Sequence, residues 1–180
     1  MRKHYVKELY TEALFELLKK VPYQDISVVD LVKKSGASRA SFYRNYVSKD
    51  QIVEEYCEQV IGSIFDNHPI SADNIRDQVC SIFKHIHEEK EKLILLKDSD
   101  LISRIDRYVF DGTINQINLN KVLNNRYQPY FFAGAATALI KAWVHYGFQE
   151  SPEKMTDIFF RSLSGYMEID QQLTISESTH

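Results

Sequence analysis

Three helix-start signals fall within 22 residues of this chain, at Ser27, Ser38 and Ser48, with Gly36 between the first two. A serine just before a helix offers its hydroxyl oxygen to the unpaired amides of the first turn. A glycine just past a helix end takes a left-handed conformation that other residues resist. Starts this close together leave room only for short helices. Ser27 has Asp30 three residues on, the spacing of a capping box, and Ile26 and Leu31 occupy the positions of a hydrophobic staple. Gly36 stops this helix after about two turns. Ser38 opens the next, flanked by Ala37 and Phe42, and Ser48 opens a third, with Gln51 at N3 and Val47 set to staple onto Ile52. Two brief helices, roughly Val28–Ser35 and Arg39–Asn45, are therefore joined by a turn at Gly36-Ala37, which is a helix-turn-helix.

The rest of the chain is helical by periodicity. Before the motif, Val6, Leu9, Tyr10, Ala13, Leu14, Leu17, Leu18 and Val21 recur at three- and four-residue intervals until Pro22 ends the run. After it, Ile52, Val53, Tyr56, Val60, Ile61 and Ile64 predict a longer helix, broken at Asn67-His68-Pro69. Ser71 opens a further helix through Ile86, Leu93 to Leu96 forms a short one, and Leu101 to Ile117 predicts one helix or a broken pair. The Asn-rich stretch Asn115 to Asn125 reads as a solvated turn region. A long helix is expected over about Tyr127 to Phe148, and Ser151-Pro152 starts the last one, with Pro in the first helical position. With no alternating strand pattern, the expected fold is all-α. It has an N-terminal three-helix head over residues 1–47 and a larger helical regulatory and dimerisation body over 48–180.

Composition enters through its unevenness. The 180 residues carry a net charge of −3, which by itself argues against a polyanionic partner. Residues 1–50, however, hold ten Lys or Arg against six Asp or Glu, a net +4, and the remaining 130 residues hold a net −7. A basic end on an acidic body confines any polyanion footprint to one end. At 44% hydrophobic residues the chain is too apolar for disorder. The longest apolar run, Phe131 to Ile140, is about half of a membrane span, and no basic-then-apolar leader opens the sequence. Cys57 and Cys80 lack paired spacing and suit a reducing compartment, so a cytoplasmic protein with no membrane partner is expected.

In a helix-turn-helix the second helix enters the major groove while its neighbours grip phosphates. If Ala37, Phe42 and Tyr46 point inward, then Arg39, Ala40, Ser41, Tyr43, Arg44 and Asn45 face outward. Arg and Asn suit guanine and adenine edges, Tyr and Ser suit phosphates, and Ala40 permits close approach. An ordinary helical hairpin with a solvated charged face is the competing reading of the same pattern.

The run from Val28 to Asp50, VVDLVKKSGASRASFYRNYVSKD, closely resembles the DNA-binding signature of the tetracycline-repressor (TetR) family, and the likeness extends over about residues 5–65. Three departures bear on operator preference. Tyr46 stands where Phe is usual, Val47 where Pro or a polar residue is common, and Ala40 where Gly is frequent. The resemblance implies that Tyr43 and Lys49 hold phosphates, with Ser27 and Ser38 assisting at helix starts, while Arg39, Ser41, Arg44 and Asn45 read sequence. It also implies a homodimer on a near-palindromic double-stranded operator, with the fourth helix linking the head to a body that answers an effector.

In the body, Gly134, Ala138 and Ala142 lie four apart, a small-residue stripe that lets another helix approach closely. Either a second subunit or a helix of the same chain could use it. The stretch from Tyr130 to Met155 resembles the C-terminal domain of a Gram-positive subgroup of the family, which implies dimerisation through the last two helices, with Phe159, Leu163 and Tyr166 beside the stripe. An effector pocket would draw on Phe83, His87, Tyr108, Phe132, Trp143 and Tyr146, although plain core explains most of these equally well. His85 and His87 lie on nearly opposite sides of a helix and cannot share a metal ion unless the helix breaks. His85 with Glu89, or His87 with Glu91, has the better spacing, but surface ion pairing explains those equally well, and no metal and no cofactor are expected. Two competing functions remain. One is a coactivator whose body binds a protein. The other is an all-α enzyme, for which no nucleophile–base pair, phosphate loop or HExxH speaks.

Overall fold

The computed structural model of the chain describes residues 2–67, 75–119 and 126–163, and all regular structure among them is helical. In order these are α1 (Arg2–Leu18), a 3-10 turn (Tyr23–Asp25), α2 (Val28–Ser35), α3 (Arg39–Asn45), α4 (Asp50–Asn67), α5 (Ile75–Glu88), α6 (Lys90–Asp98), α7 (Ser103–Leu119) and α8 (Gln128–His145). A last helix, α9, is described over 152–163. The helix start expected at Ser71 lies outside the described residues.

The local signals account for most boundaries. Ser27 caps α2 in a full capping box, its hydroxyl accepting the Asp30 amide at 3.2 Å while Asp30 Oδ2 accepts the Ser27 amide at 2.9 Å. Gly36 ends α2 at φ 69°, and Ser38 caps α3 by accepting the Ser41 amide at 3.1 Å. Ser151 caps α9 through the Lys154 amide at 3.2 Å.

Three boundaries differ from expectation. Helix α4 starts at Asp50, and the staple is not made: Val47 is 87% exposed, and its amide instead donates to Gln51 Oε1 at 2.8 Å. Helix α7 is continuous and runs through Asn115 to Leu119, where a turn region was expected. Helix α8 ends at His145 instead of Phe148, because Gly147 and Phe148 turn left-handed at φ 73° and 58°. The Phe148 amide reaches back to the Trp143 carbonyl at 2.9 Å, and its ring packs 4.7 Å from Trp143, burial that offsets an unfavourable backbone for a bulky residue.

In the head, α1 packs across α2 and α3 around three interlocking aromatic rings. Tyr10 stands edge-on to Phe42 at 5.3 Å and to Tyr46 at 6.0 Å, and its hydroxyl donates to the Ser38 carbonyl at 2.9 Å. Helix α4 carries Ile52, Val53, Tyr56 and Cys57 into the same buried core and continues into the body, where α7 packs between α4 and α8. One cluster of buried apolar residues thus runs from Tyr10 to Met155. Burial pushes the Cys57 thiol up to about 12, as befits a packed thiol. Among the described residues, no helix is long and apolar enough to cross a membrane.

Candidate nucleic-acid interface

Helix α3 is amphipathic by placement as well as by composition. Phe42 and Tyr46 are buried against Tyr10, which fixes the helix on the head and turns Arg39, Ala40, Tyr43 and Arg44 outward. Tyr43 is 54% exposed, and the Arg39 guanidinium lies 5.7 Å from its ring centroid, a stacking that restrains both side chains. In the last turn of α2, Lys33 and Lys34 are exposed, with Lys34 Nζ 4.0 Å from Glu16.

Ser41, Asn45 and Lys49 sit differently from expectation, while Ser27 is the exposed cap that was expected. Ser41 is buried beneath α3, so its hydroxyl is not on the outward face. Asn45 is half-buried, and its Nδ2 donates to the Ser41 carbonyl at 2.7 Å, which anchors the side chain to its own helix. The Ser27 hydroxyl is committed to Asp30, from whose amide it accepts and to whose Oδ2 it donates at 2.5 Å. The Ser27 hydroxyl first, and then the Ser27 backbone amide donating to the same carboxylate, hold the Asp30 carboxyl below its usual range. Lys49 is turned inward: Nζ donates to the carbonyls of Tyr23 at 2.6 Å and Ile26 at 2.7 Å, with that of Gln24 at 3.3 Å.

Residues that the sequence did not mark are gathered at this same junction. Asp50 Oδ1 accepts the Tyr23 hydroxyl at 2.9 Å and Arg104 Nη2 at 2.6 Å, and Arg104 Nη1 reaches Glu54 at 3.3 Å. Burial alone would raise the Asp50 carboxyl, but the Tyr23 hydroxyl and the Arg104 charge outweigh it and hold it low. The Lys-Asp pair was a visible signal for the α4 end of this arrangement. Arg104 gave none, because the fold brings it from 54 residues away.

The body divides the effector candidates. Phe83, His87 and Trp143 come together, with the His87 ring stacked on Trp143 at 5.6 Å and Phe83 edge-on to it at 5.6 Å. Tyr146 is 64% exposed and lines no interior, while Tyr108 and Phe132 are half-buried and lie outside this group of rings. An aliphatic cavity of about 20 Å³, lined by Val60, Ile86, Leu93, Ile105, Val109 and Ile140 among others, is formed without any of the six. His85 is bound to Ser63 at 2.9 Å and to Glu88 at 3.5 Å, and no cluster of three metal-binding side chains occurs among the described residues.

Along α8, Tyr127, Phe131 and Ala138 are exposed, and Ala142 is half-buried on the same side. Gly134 faces α7, where an added methyl group would sit 4.0 Å from Phe110 Cε2. Phe159 is half-buried with its ring 6.5 Å from Phe83, so it packs within the chain. Leu163 is half-buried, and Tyr166 lies outside the described residues.

Comparison with known proteins bears directly on this arrangement. Residues 11–56 match the family described as bacterial regulatory proteins, tetR family, and residues 73–165 match the family described as transcriptional regulator C-terminal region. No curated protein matches the chain. Among solved structures, a TetR transcriptional regulator from Streptococcus agalactiae 2603V is similar at TM-score 0.62 and 17% identity, over 89% of this chain and 94% of that one. The dihydroxyacetone kinase operon activator DhaS is similar at TM-score 0.66 and 13% identity, over 91% and 97%. The TetR family repressor FadR of Thermus thermophilus, solved with lauroyl-CoA, is similar at TM-score 0.56 and 16% identity, over 86% and 91%. These neighbours carry the fold and do not single out a subgroup. With both parts of the chain matched, and the helix-turn-helix in place on a helical body, this protein belongs to the TetR family of DNA-binding transcriptional regulators.

Proposed function

We propose that the chain is a repressor that binds a near-palindromic operator as a homodimer and responds to a small ligand in its body. The observation that carries the DNA reading is the division of α3, which buries Phe42 and Tyr46 and presents Arg39, Ala40, Tyr43 and Arg44 together. Arg44 has the fork geometry for a guanine edge, and Arg39, steadied on Tyr43, acts beside it. Tyr43 offers its hydroxyl to a phosphate, and Ala40 leaves room for the duplex. Ser27 and Ser38 contribute by fixing helix starts, and Asn45 contributes from its anchored position.

Dimerisation would use the exposed face of α8 at Tyr127, Phe131, Ala138 and Ala142, a two-fold contact of one helix with its copy. The heads would then read half-sites about one helical turn, roughly 34–36 Å, apart. Repression is the reading in keeping with FadR, described as a repressor, although DhaS is described as an operon activator, and the lauroyl-CoA bound to FadR supports an effector with an apolar chain. In this chain such a ligand would have to part the packed rings of Phe83, His87 and Trp143, or widen the separate water-sized cavity lined by Val60, Ile86 and Ile140.

Selection of bound sequences from a random duplex pool tests the proposal. Recovery of one two-fold symmetric motif, with two chains per duplex by sedimentation, is expected. An enriched pool without symmetry, or one chain per duplex, would overturn it.

A further inference from the structure

The start of α4 holds the connection in front of α2 by two side chains in succession. The Lys49 ammonium has three hydrogens to donate. It is surrounded by the carbonyl oxygens of Tyr23, Gln24 and Ile26 at 2.6, 3.3 and 2.7 Å, with the Tyr23 ring centroid 4.4 Å away. Carbonyls converging at the end of a helical turn form its negative pole, and a cation there satisfies all of them at once. Asp50 then holds the other end of Tyr23 by accepting its hydroxyl, and Arg104 of α7 holds Asp50 and Glu54 together from the body. Ile26 is buried, and Ser27, its neighbour, caps α2. Whatever fixes the 23–26 turn therefore fixes where α2 begins.

We propose that Lys49 is a positioning residue: with Asp50 it forms a latch, set from the body by Arg104, that fixes the 23–26 turn and through it α2 and α3. This differs from the phosphate-holding role that family resemblance implies for the same lysine. To reach a phosphate, Nζ would have to leave two carbonyls at 2.6 and 2.7 Å, one of them the last before the α2 cap. The body thereby gains a grip on the reading head at a second place, beyond the continuity of α4. The inference rests on the DNA-reading role of α3.

The two roles separate by salt dependence. Loss of a direct phosphate contact lowers the slope of log affinity against log salt by about 0.9, whereas loss of positioning weakens binding at an unchanged slope. We would measure affinity for the selected duplex across salt for wild type, Lys49→Ala and Lys49→Gln. Amide exchange of residues 22–31 would be followed in the free, full-length protein. The latch predicts at least tenfold weaker binding for both variants, an unchanged slope, and faster exchange confined to 22–31. Tyr23→Phe removes only the bond to Asp50 and should reproduce the exchange effect in a smaller degree, which keeps the test available if Lys49→Ala fails to fold. A slope lower by about 0.9 per subunit, about 1.8 for the two chains on one duplex, with exchange unchanged would overturn the proposal in favour of phosphate contact, and faster exchange with unchanged affinity would overturn the positioning role. A wild-type protein without sequence preference would instead overturn the DNA reading, while the exchange data would still decide whether the latch exists.

Discussion

Gly36 sets the turn between α2 and α3, and its replacement by alanine gives a change whose size can be worked from the structure. Its φ is 69°, in the left-handed region, and a methyl group built there would meet no atom within 4 Å. Gly36→Ala therefore adds backbone strain without a clash. The left-handed conformation costs an L-residue about 1–2 kcal/mol. The reduced freedom of the unfolded chain returns about 0.4–1 kcal/mol, leaving a net loss near 1 kcal/mol. For a chain of this length that lowers Tm by about 2–4 °C. Asp100 and Phe148 already hold positive φ in this protein, so the fold tolerates such strain where packing sustains it. The assay is a urea melt, where the midpoint should fall at constant m, paired with duplex affinity measured well below the transition. With the turn geometry kept, affinity should stay within about threefold, corresponding to under 1 kcal/mol. A loss beyond tenfold in a folded variant would refute the reasoning, because the glycine would then serve close approach to DNA and not its own φ.

Three further outcomes follow from named contacts. Arg44→Ala should cost about 1–3 kcal/mol on the selected duplex and relax preference at one position of each half-site, seen by repeating the pool selection with the variant. Among the described residues the buried Tyr46 hydroxyl has no partner within hydrogen-bond geometry, with Glu55 and Thr11 its polar neighbours, so Tyr46→Phe should leave stability unchanged or raise it by up to about 1 kcal/mol in a thermal melt, and a fall of that size would show a partner in solution. The Asp50 carboxyl is held low in the fold, so its contribution is complete above the unfolded carboxylate range and is lost as pH falls through its depressed value. Acid melts should therefore show a smaller loss of stability between neutral pH and pH 3 for Asp50→Asn than for wild type, and equal losses would remove Asp50 from the account.

The parts of the fold legible in the sequence were those whose causes are local. Ser27, Ser38 and Ser151 cap helices because the partner amide is three residues away, and Gly36 stops one because its own φ permits it. At Ser48 an equally local pattern misled: Gln51 took the Val47 amide, and the valine side chain stayed in solvent. The same limit applied at the interface. Periodicity placed Phe42 and Tyr46 inside, yet it put Ser41 outside, because a seven-residue helix has no room to average its face and a small side chain can lie at the seam. Lys49 shows the limit most clearly. A lysine beside a helix start reads as a free cation until the fold brings three carbonyls around it, and Arg104 acquires its role only when α7 packs on α4.

The central claim is that α3, through Arg39, Tyr43 and Arg44, reads a defined duplex. The most direct test is the ratio of affinities for the selected duplex and a scrambled one of equal length, both measured at the same physiological salt. The account predicts a ratio of about 10³ or more, as specific regulators show, falling at least tenfold in Arg44→Ala. A ratio near one for the wild-type chain would contradict it.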